Sequence, residues 1–462
     1  MIFEWIDWIP IVGYFALLLW LTFRKRGEQK NETSFLLSGR TLTVPAFVAT
    51  LVSTWYGGIL GVGEYTYQFG ISQWLLFGFP FYIFAAIYAW FLAPAIRKHK
   101  ALSIPEALES AYGTKAGRAG AVGIFILVSP APYILMTGLI LQVVIGGTNW
   151  FLYSAIIAFF SAFYVSWGGF GAVVRTDILQ IILMYGGFAI LIYACWQLAG
   201  SPLEVMQNLP ETHLDVTGGH SAFYIMVWFF IALWTFVDPG FHQRVAAAKS
   251  PRIAQKGIFS SIVFWFFFDI MSLTAGLYAF HILGSGLENP VLAYPELANM
   301  VLPAGLLGLF YIALIAVIMS TLDSYLFISG QTLGRDFLKP IFNLRDSIKI
   351  TQISIFIAAL FGLLLLAIFP SVIELWYVLG SLVIPALLIP ILGVYIPFFR
   401  LSRRLAFASI VLAFTVSLVW VIMGVMTSDT LYSYAWLGVE PFYPGLVVSL
   451  LLYGISRFLG NG

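Results

Sequence analysis

The sequence predicts an all-α polytopic membrane protein with thirteen transmembrane helices, and three observations carry that prediction. The chain of 462 residues is 61% hydrophobic but only 10% charged, against about 25% charged in soluble domains. Its apolar residues gather into segments of about 20, the length that crosses a bilayer. Every Lys and Arg falls on one side once those segments are threaded back and forth.

The first segment, 5–23, opens with Glu4 and Asp7 and lacks a basic leader. It is long enough to span, so it reads as a retained helix and not a cleaved signal peptide. Spans follow at 43–70, 72–93, 119–146, 150–168 and 174–198, then at 222–246, 257–283, 305–333, 350–369 and 371–397, and finally at 405–426 and 443–459. With the N-terminus outside and the C-terminus cytoplasmic, all 23 Lys and Arg lie at the inner face, Lys25, Arg26, Lys30 and Arg40 among them. The outer loops hold none, and two carry acids instead: Glu204, Glu211 and Asp215 in one, Glu288 and Glu296 in the other. An added or lost span would scramble this alternation. The two longest loops, about 199–221 and 284–304, are short lids at most, so residues 1–462 read as a single transmembrane domain. The single Cys195 excludes an intrachain disulfide and any cysteine metal cluster.

Two spans are poor helices. The second contains STWYGGILGVGEY, with Gly57, Gly58, Gly61 and Gly63. The seventh contains WTFVDPGFHQR, with Asp238, Pro239 and Gly240. Glycine relaxes a helix; proline removes a donor and clashes with the preceding turn. Broken backbone at membrane depth is tolerated where protein buries it or where it lines a cavity. A packing kink explains either break alone. Together they lead two five-helix sets of opposite topology, 43–198 and 222–397, the inverted repeat of many secondary transporters. Segment 1–42 then supplies an extra N-terminal helix and inner loop, and 398–462 two extra C-terminal helices.

Five acids lie inside spans: Glu64, Asp177, Asp238, Asp269 and Asp323. Each costs roughly 2.5–3.5 kcal/mol at a helix centre on insertion scales. Asp323 sits in VIMSTLDSYL, about 18 Å along a helix before Arg335. Arg175 and Arg244 are placed near the inner face, where each could meet a neighbouring acid, but no base is expected at the depth of Asp323. Ser320, Thr321, Asp323 and Ser324 share one helical face. Such a stripe is half of a hard-cation site, since hard cations take oxygen ligands. Alternatively the hydroxyls bond back to the i−4 carbonyls and Asp323 is a protonated bolt between helices.

Five stretches in order carry a resemblance to the sodium:solute symporter family: SFLLSGRTL (34–42), LSIPEALESAYG (102–113), GGFGAVVRTDILQ (168–180), FHQRVAAAKS (241–250), and IMSTLDS followed by RDFLKP. The resemblance spans about 33–400 and implies the five-plus-five inverted repeat of the amino-acid transporter LeuT. By position it implies a main sodium site at Ser53, Tyr56, Val317, Ser320 and Thr321, from backbone carbonyls and paired hydroxyls. It implies a second sodium, or a proton, at Asp177, Asp323 and Ser324, and an inner gate at Arg40. The solute is expected between the two breaks, at Trp55, Gly57, Gly58, Tyr133, Trp234, Asp238, Pro239 and Tyr377. Trp55-Tyr56-Gly57-Gly58 and DPGFHQR depart from familiar relatives, so solute identity does not carry over. Asp238 and the aromatics favour an amino or quaternary ammonium solute by ion pairing and cation–π contact; equally, Asp238 caps the half-helix after Pro239.

The expected function is sodium-coupled import of a small polar solute by alternating access, at a bacterial cytoplasmic (inner) membrane, with Na+, solute and lipid as partners, no nucleic acid, and a monomer sufficient. A proton-coupled transporter is the alternative, with a transport-derived sensor or channel behind it. The five histidines, 99, 213, 220, 242 and 281, form no metal spacing and no nucleophile–base pair is evident, which argues against an enzyme.

Overall fold

Hydrocarbon offers the backbone no hydrogen-bond partner, so spans must be helical, and the protein is a helical bundle. The structure, a computed structural model, describes residues 3–24, 31–369, 371–427 and 434–459. Lys25, Arg26 and Lys30, counted above at the inner face, lie outside the described residues.

Eleven helices among the described residues are long and apolar enough to cross a membrane. They are α1 (Trp5–Phe23), α2 (Val44–Phe69), α3 (Trp74–His99), α4 (Thr114–Ile145), α5 (Trp150–Ala199), α6 (Ala222–Ala247), α7 (Pro251–Leu283), α8 (Leu306–Phe342), α9 (Ser347–Leu366), α10 (Val372–Tyr395) and α11 (Arg403–Thr427). A twelfth apolar helix, α12 (Phe442–Phe458), is shorter. The 50-residue α5 is not continuous: Gly169 has φ 57° and ψ −175°. That left-handed backbone suits glycine, and it falls between the fifth and sixth predicted spans. The loops after α5 and after α7 carry helices of their own, Pro202–Gln207 and Ala293–Val301.

Both predicted breaks are present. In α2 the helix tightens to a 3₁₀ turn at Tyr56–Gly58. In α6, Asp238 leaves helical geometry (φ −66°, ψ 115°) and Pro239 begins a new half-helix, Pro239–Ala247.

Helix α8 is the axis of the bundle. It is buried from Leu307 through Gln331 almost without interruption and packs most extensively on α5. Its N-terminal end is held from an unexpected quarter. Asp7, fully buried in the first turn of α1, accepts the backbone N–H of Gly305 at 2.7 Å and of Gly308 at 2.8 Å. A carboxylate there satisfies orphan donors and complements the helix dipole. Tyr14 of α1 accepts from the Gln180 amide of α5 at 2.9 Å. Toward the C-terminal end of α8, Arg335 pairs with Glu32, Glu106 and Asp336.

Candidate functional site

The break in α2 exists to let α8 come close. A Cβ on Gly57 would lie 2.1 Å from Thr321 Oγ1, so only glycine admits the contact. Thr321 Oγ1 donates to the Thr54 carbonyl at 2.5 Å. Ser320 Oγ lies 2.9 Å from Ser53 Oγ and 2.6 Å from Asp177 Oδ1. The hydroxyls of α8 therefore reach across to α2 and α5, and do not bond back along their own helix. Ser53 does, donating to Ala49 O at 2.8 Å.

Ser320 has one proton and two neighbouring acceptors. The carboxylate is closer and charge-assisted, so it takes the proton. With the Ser53 proton on Ala49 O and the Ser320 proton on Asp177, the two serine oxygens face each other at 2.9 Å with lone pairs, beside the Thr321–Thr54 hydrogen bond. That oxygen set suits a hard monovalent cation such as Na+. Val317 is buried one turn before Thr321. Tyr56 is buried at the break, and its hydroxyl lies 2.9 Å from Asp269 Oδ1 and 2.8 Å from the Trp265 carbonyl.

The expected second site is arranged differently, and the cause is Arg244. The break at Asp238–Pro239 sends the half-helix, and with it this side chain, into the core. Arg244 is fully buried. It donates to Thr54 Oγ1 at 2.7 Å and Ser324 Oγ at 2.8 Å, and its Nη2 lies 3.8 Å from Asp177 Oδ2. The expectation that no base reaches the depth of the α8 stripe is corrected: an arginine binds the neighbour of Asp323. Asp177 also accepts from Thr50 and Ser320. Asp323 instead accepts from Tyr164, and its Oδ1 has no hydrogen-bond partner. Of the three expected residues, the guanidinium engages Ser324 and Asp177, while Asp323 is held by Tyr164.

Beside the breaks lies a cavity of about 120 Å³, lined by Trp55, Gly58, Tyr133 and Trp234 among the expected solute residues. Gly57 faces Thr321 instead. Asp238 is an N-cap: Oδ1 accepts from Phe241 N at 2.8 Å, and Oδ2 from Trp234 Nε1 and the Tyr325 hydroxyl, each at 3.2 Å. Pro239 borders a small inner void with His242. Tyr377 is turned away, bonded to Glu440 and stacked on Tyr434. Arg40 donates to the carbonyls of Ala246 at 3.2 Å and Lys100 at 2.6 Å, bracing the C-terminal ends of α6 and α3 against each other. Glu64 is half-buried and makes no hydrogen bond or ion pair among the described residues. Sequence reasoning marked Asp269 as an intramembrane acid but missed that it lines the cavity, along with Gln73, Trp228, Tyr325 and Trp376. Only the aspartate carried a sequence signal.

A model of the sodium:solute symporter family matches residues 35–411. A sodium/glucose cotransporter of Vibrio parahaemolyticus is 26% identical over 73% of this chain and 69% of its own length. A sodium/proline symporter of Staphylococcus aureus is 26% identical over the same shares. An uncharacterised symporter of Escherichia coli (strain K12) is 26% identical over 67% of this chain, which spans only 58% of that relative's length. The match to a Drosophila melanogaster relative likewise spans 56% of its length. The fold is that of a Na+-coupled sialic acid symporter solved in a substrate-bound outward-open state, with TM-score 0.80, 16% identity, and coverage of 98% of this chain and 97% of that one. MhsT in complex with L-phenylalanine is more distant, at TM-score 0.56, 14% identity, and coverage of 94% of this chain and 99% of that one.

Proposed function

The chain belongs to the sodium:solute symporter family, and on that premise we propose that it carries a small organic solute across the cytoplasmic membrane together with sodium, by alternating access. The observation that carries this reading is the oxygen-lined contact of Ser53 and Thr54 on α2 with Ser320 and Thr321 on α8. Sodium there stitches the broken helix to the bundle axis. Tyr56 passes the effect on, because its backbone belongs to the 3₁₀ break while its hydroxyl meets Asp269 at the cavity. Sodium that orders the break raises solute affinity, and solute raises sodium affinity by the same factor. An inward membrane potential adds about 2.3 kcal/mol per charge per 100 mV.

We read α5 as two spans meeting at Gly169 and α12 as a further span, which supports a thirteen-span reading with two five-helix repeats led by α2 and α6 and the N-terminus outside. Arg244 supplies a fixed positive charge where a second cation was expected, which favours one sodium per solute. The inner ends held by Arg40 and Arg335 part when the site opens inward.

The test needs no solute. The purified protein should melt higher in Na+ than in K+ at equal ionic strength, and Ser320→Ala and Thr321→Ala should remove most of that difference. Equal melting in both salts would leave the proton-coupled reading, with Asp177 or Asp323 as carrier.

A further inference from the structure

The cavity beside the breaks holds an acid and no base. Nine of its fifteen lining residues are aromatic, and among the described residues Asp269 is its one carboxylate and no Lys, Arg or His lines it. Asp269 Oδ1 accepts from Tyr56 at 2.9 Å and Oδ2 accepts from Tyr82. Hydroxyl donors spread the charge without neutralising it. Among the described residues no Lys or Arg lies within ion-pair distance of Asp269. The other acid near the breaks, Asp238, is spoken for: Phe241, Trp234 and Tyr325 fill its oxygens.

The walls reinforce the sign. Aromatic faces are electronegative and attract cations, most strongly where water is excluded. A second polar group completes the cavity. Gln73 is fully buried, lines the cavity, and has no partner for either its amide nitrogen or its oxygen. The indole N–H of Trp228, also on the lining, is unpartnered as well. Buried polar groups are rarely left unpaired without a reason.

We propose that the solute is a small organic ammonium, its cationic nitrogen against Asp269 and between the aromatic faces, its hydroxyl or carbonyl end on Gln73. This rests on the symport reading above and moves the recognition role from Asp238, the residue favoured by sequence, to Asp269. A carboxylate or phosphate solute would meet an unpaired negative charge here, and a sugar would leave it unbalanced.

The test is calorimetric titration of purified protein with choline, tetramethylammonium and n-butylammonium, against 3,3-dimethylbutan-1-ol, which has the shape of choline without the charge. At least one ammonium should bind at least tenfold tighter than the neutral alcohol. Asp269→Asn should erase that preference. Gln73→Leu should weaken choline several-fold while leaving tetramethylammonium unchanged. The proposal is overturned if the neutral isostere binds as well as choline, or if none of the three ammonium probes binds, which would make Asp269 a structural bolt for Tyr56 and Tyr82. Running each titration in Na+ and in K+ separates the two readings: charge preference without sodium dependence defeats only the sodium reading, and sodium dependence without charge preference defeats only this one. Because the isostere comparison is made on wild type, poor folding of Asp269→Asn does not rescue the proposal.

Discussion

Replacing Arg244 by Met tests the core of the site most directly. Methionine keeps much of the length and apolar stem but removes the charge and all donors. Wild type holds the guanidinium by bonds to Thr54 and Ser324 at 2.7 and 2.8 Å, by contacts of 3.3 Å to the Thr50 and Gly240 carbonyls, and by Asp177 at 3.8 Å. Both partners of the pair are fully buried. Breaking a buried pair from one side costs about 3–5 kcal/mol, because the remaining charge is uncompensated. Part of that is recovered by neutralising the survivor. The double variant Arg244→Met with Asp177→Asn should therefore fall short of additivity by about 2 kcal/mol, within the range for groups in contact. Equilibrium unfolding in mixed micelles on wild type, both single variants and the double closes the cycle. A single-variant loss below about 1 kcal/mol, or strictly additive losses, would refute the claim that Arg244 holds the cluster together. In K+ the comparison isolates the pair; in Na+ the Arg244→Met variant should also lose part of its sodium stabilisation, since Asp177 orients Ser320.

Gly57→Ala should weaken sodium stabilisation at least tenfold, because the new methyl would sit 2.1 Å from Thr321 Oγ1; melting curves across a sodium titration read it. Asp7→Ala should cost about 1–3 kcal/mol, the penalty for leaving buried donors unsatisfied, measured in the same unfolding assay. Burial holds the His220 imidazole, in the outer loop, below its ordinary value. Its neutral ring lies 2.6 Å from the Tyr65 hydroxyl. A base with a depressed folded value contributes stability that is full above its unfolded value, about 6.5, and that is lost as pH falls below it. Hydrogen exchange around 215–221 should therefore quicken between about pH 6.5 and the lower folded value, and His220→Gln should flatten that dependence.

The bilayer makes much of this fold readable, because it demands long apolar segments and punishes every interruption. The break at Asp238–Pro239 announced itself for that reason, and the crowding at Gly57 was signalled by its glycine. Arg244 was misplaced because position along a straight helix was taken for depth. The same proline that announced the break also turned the following half-helix inward. The place of Asp269 was hidden for another reason. Its tyrosine donors are 213 and 187 positions away in the chain, and nothing local distinguishes a cavity acid from a cap such as Asp238. Tyr377 was misassigned by the same blindness to long-range contact, its hydroxyl being engaged by Glu440.

The grip of Asp7 on α8 redraws the moving parts. By topology α1 stands outside both repeats and could be taken for ballast. A carboxylate fastened to the first turn of α8, the helix proposed to carry sodium, makes α1 a passenger with consequences: if α8 tilts or slides during the cycle, α1 must go with it or let go. The rigid body that rocks is then one helix larger than the repeat that defines it, and a label attached near Trp5 would report the motion of α8 from the Asp7–Gly308 contact, about twelve residues before Ser320, without perturbing the proposed ion site itself.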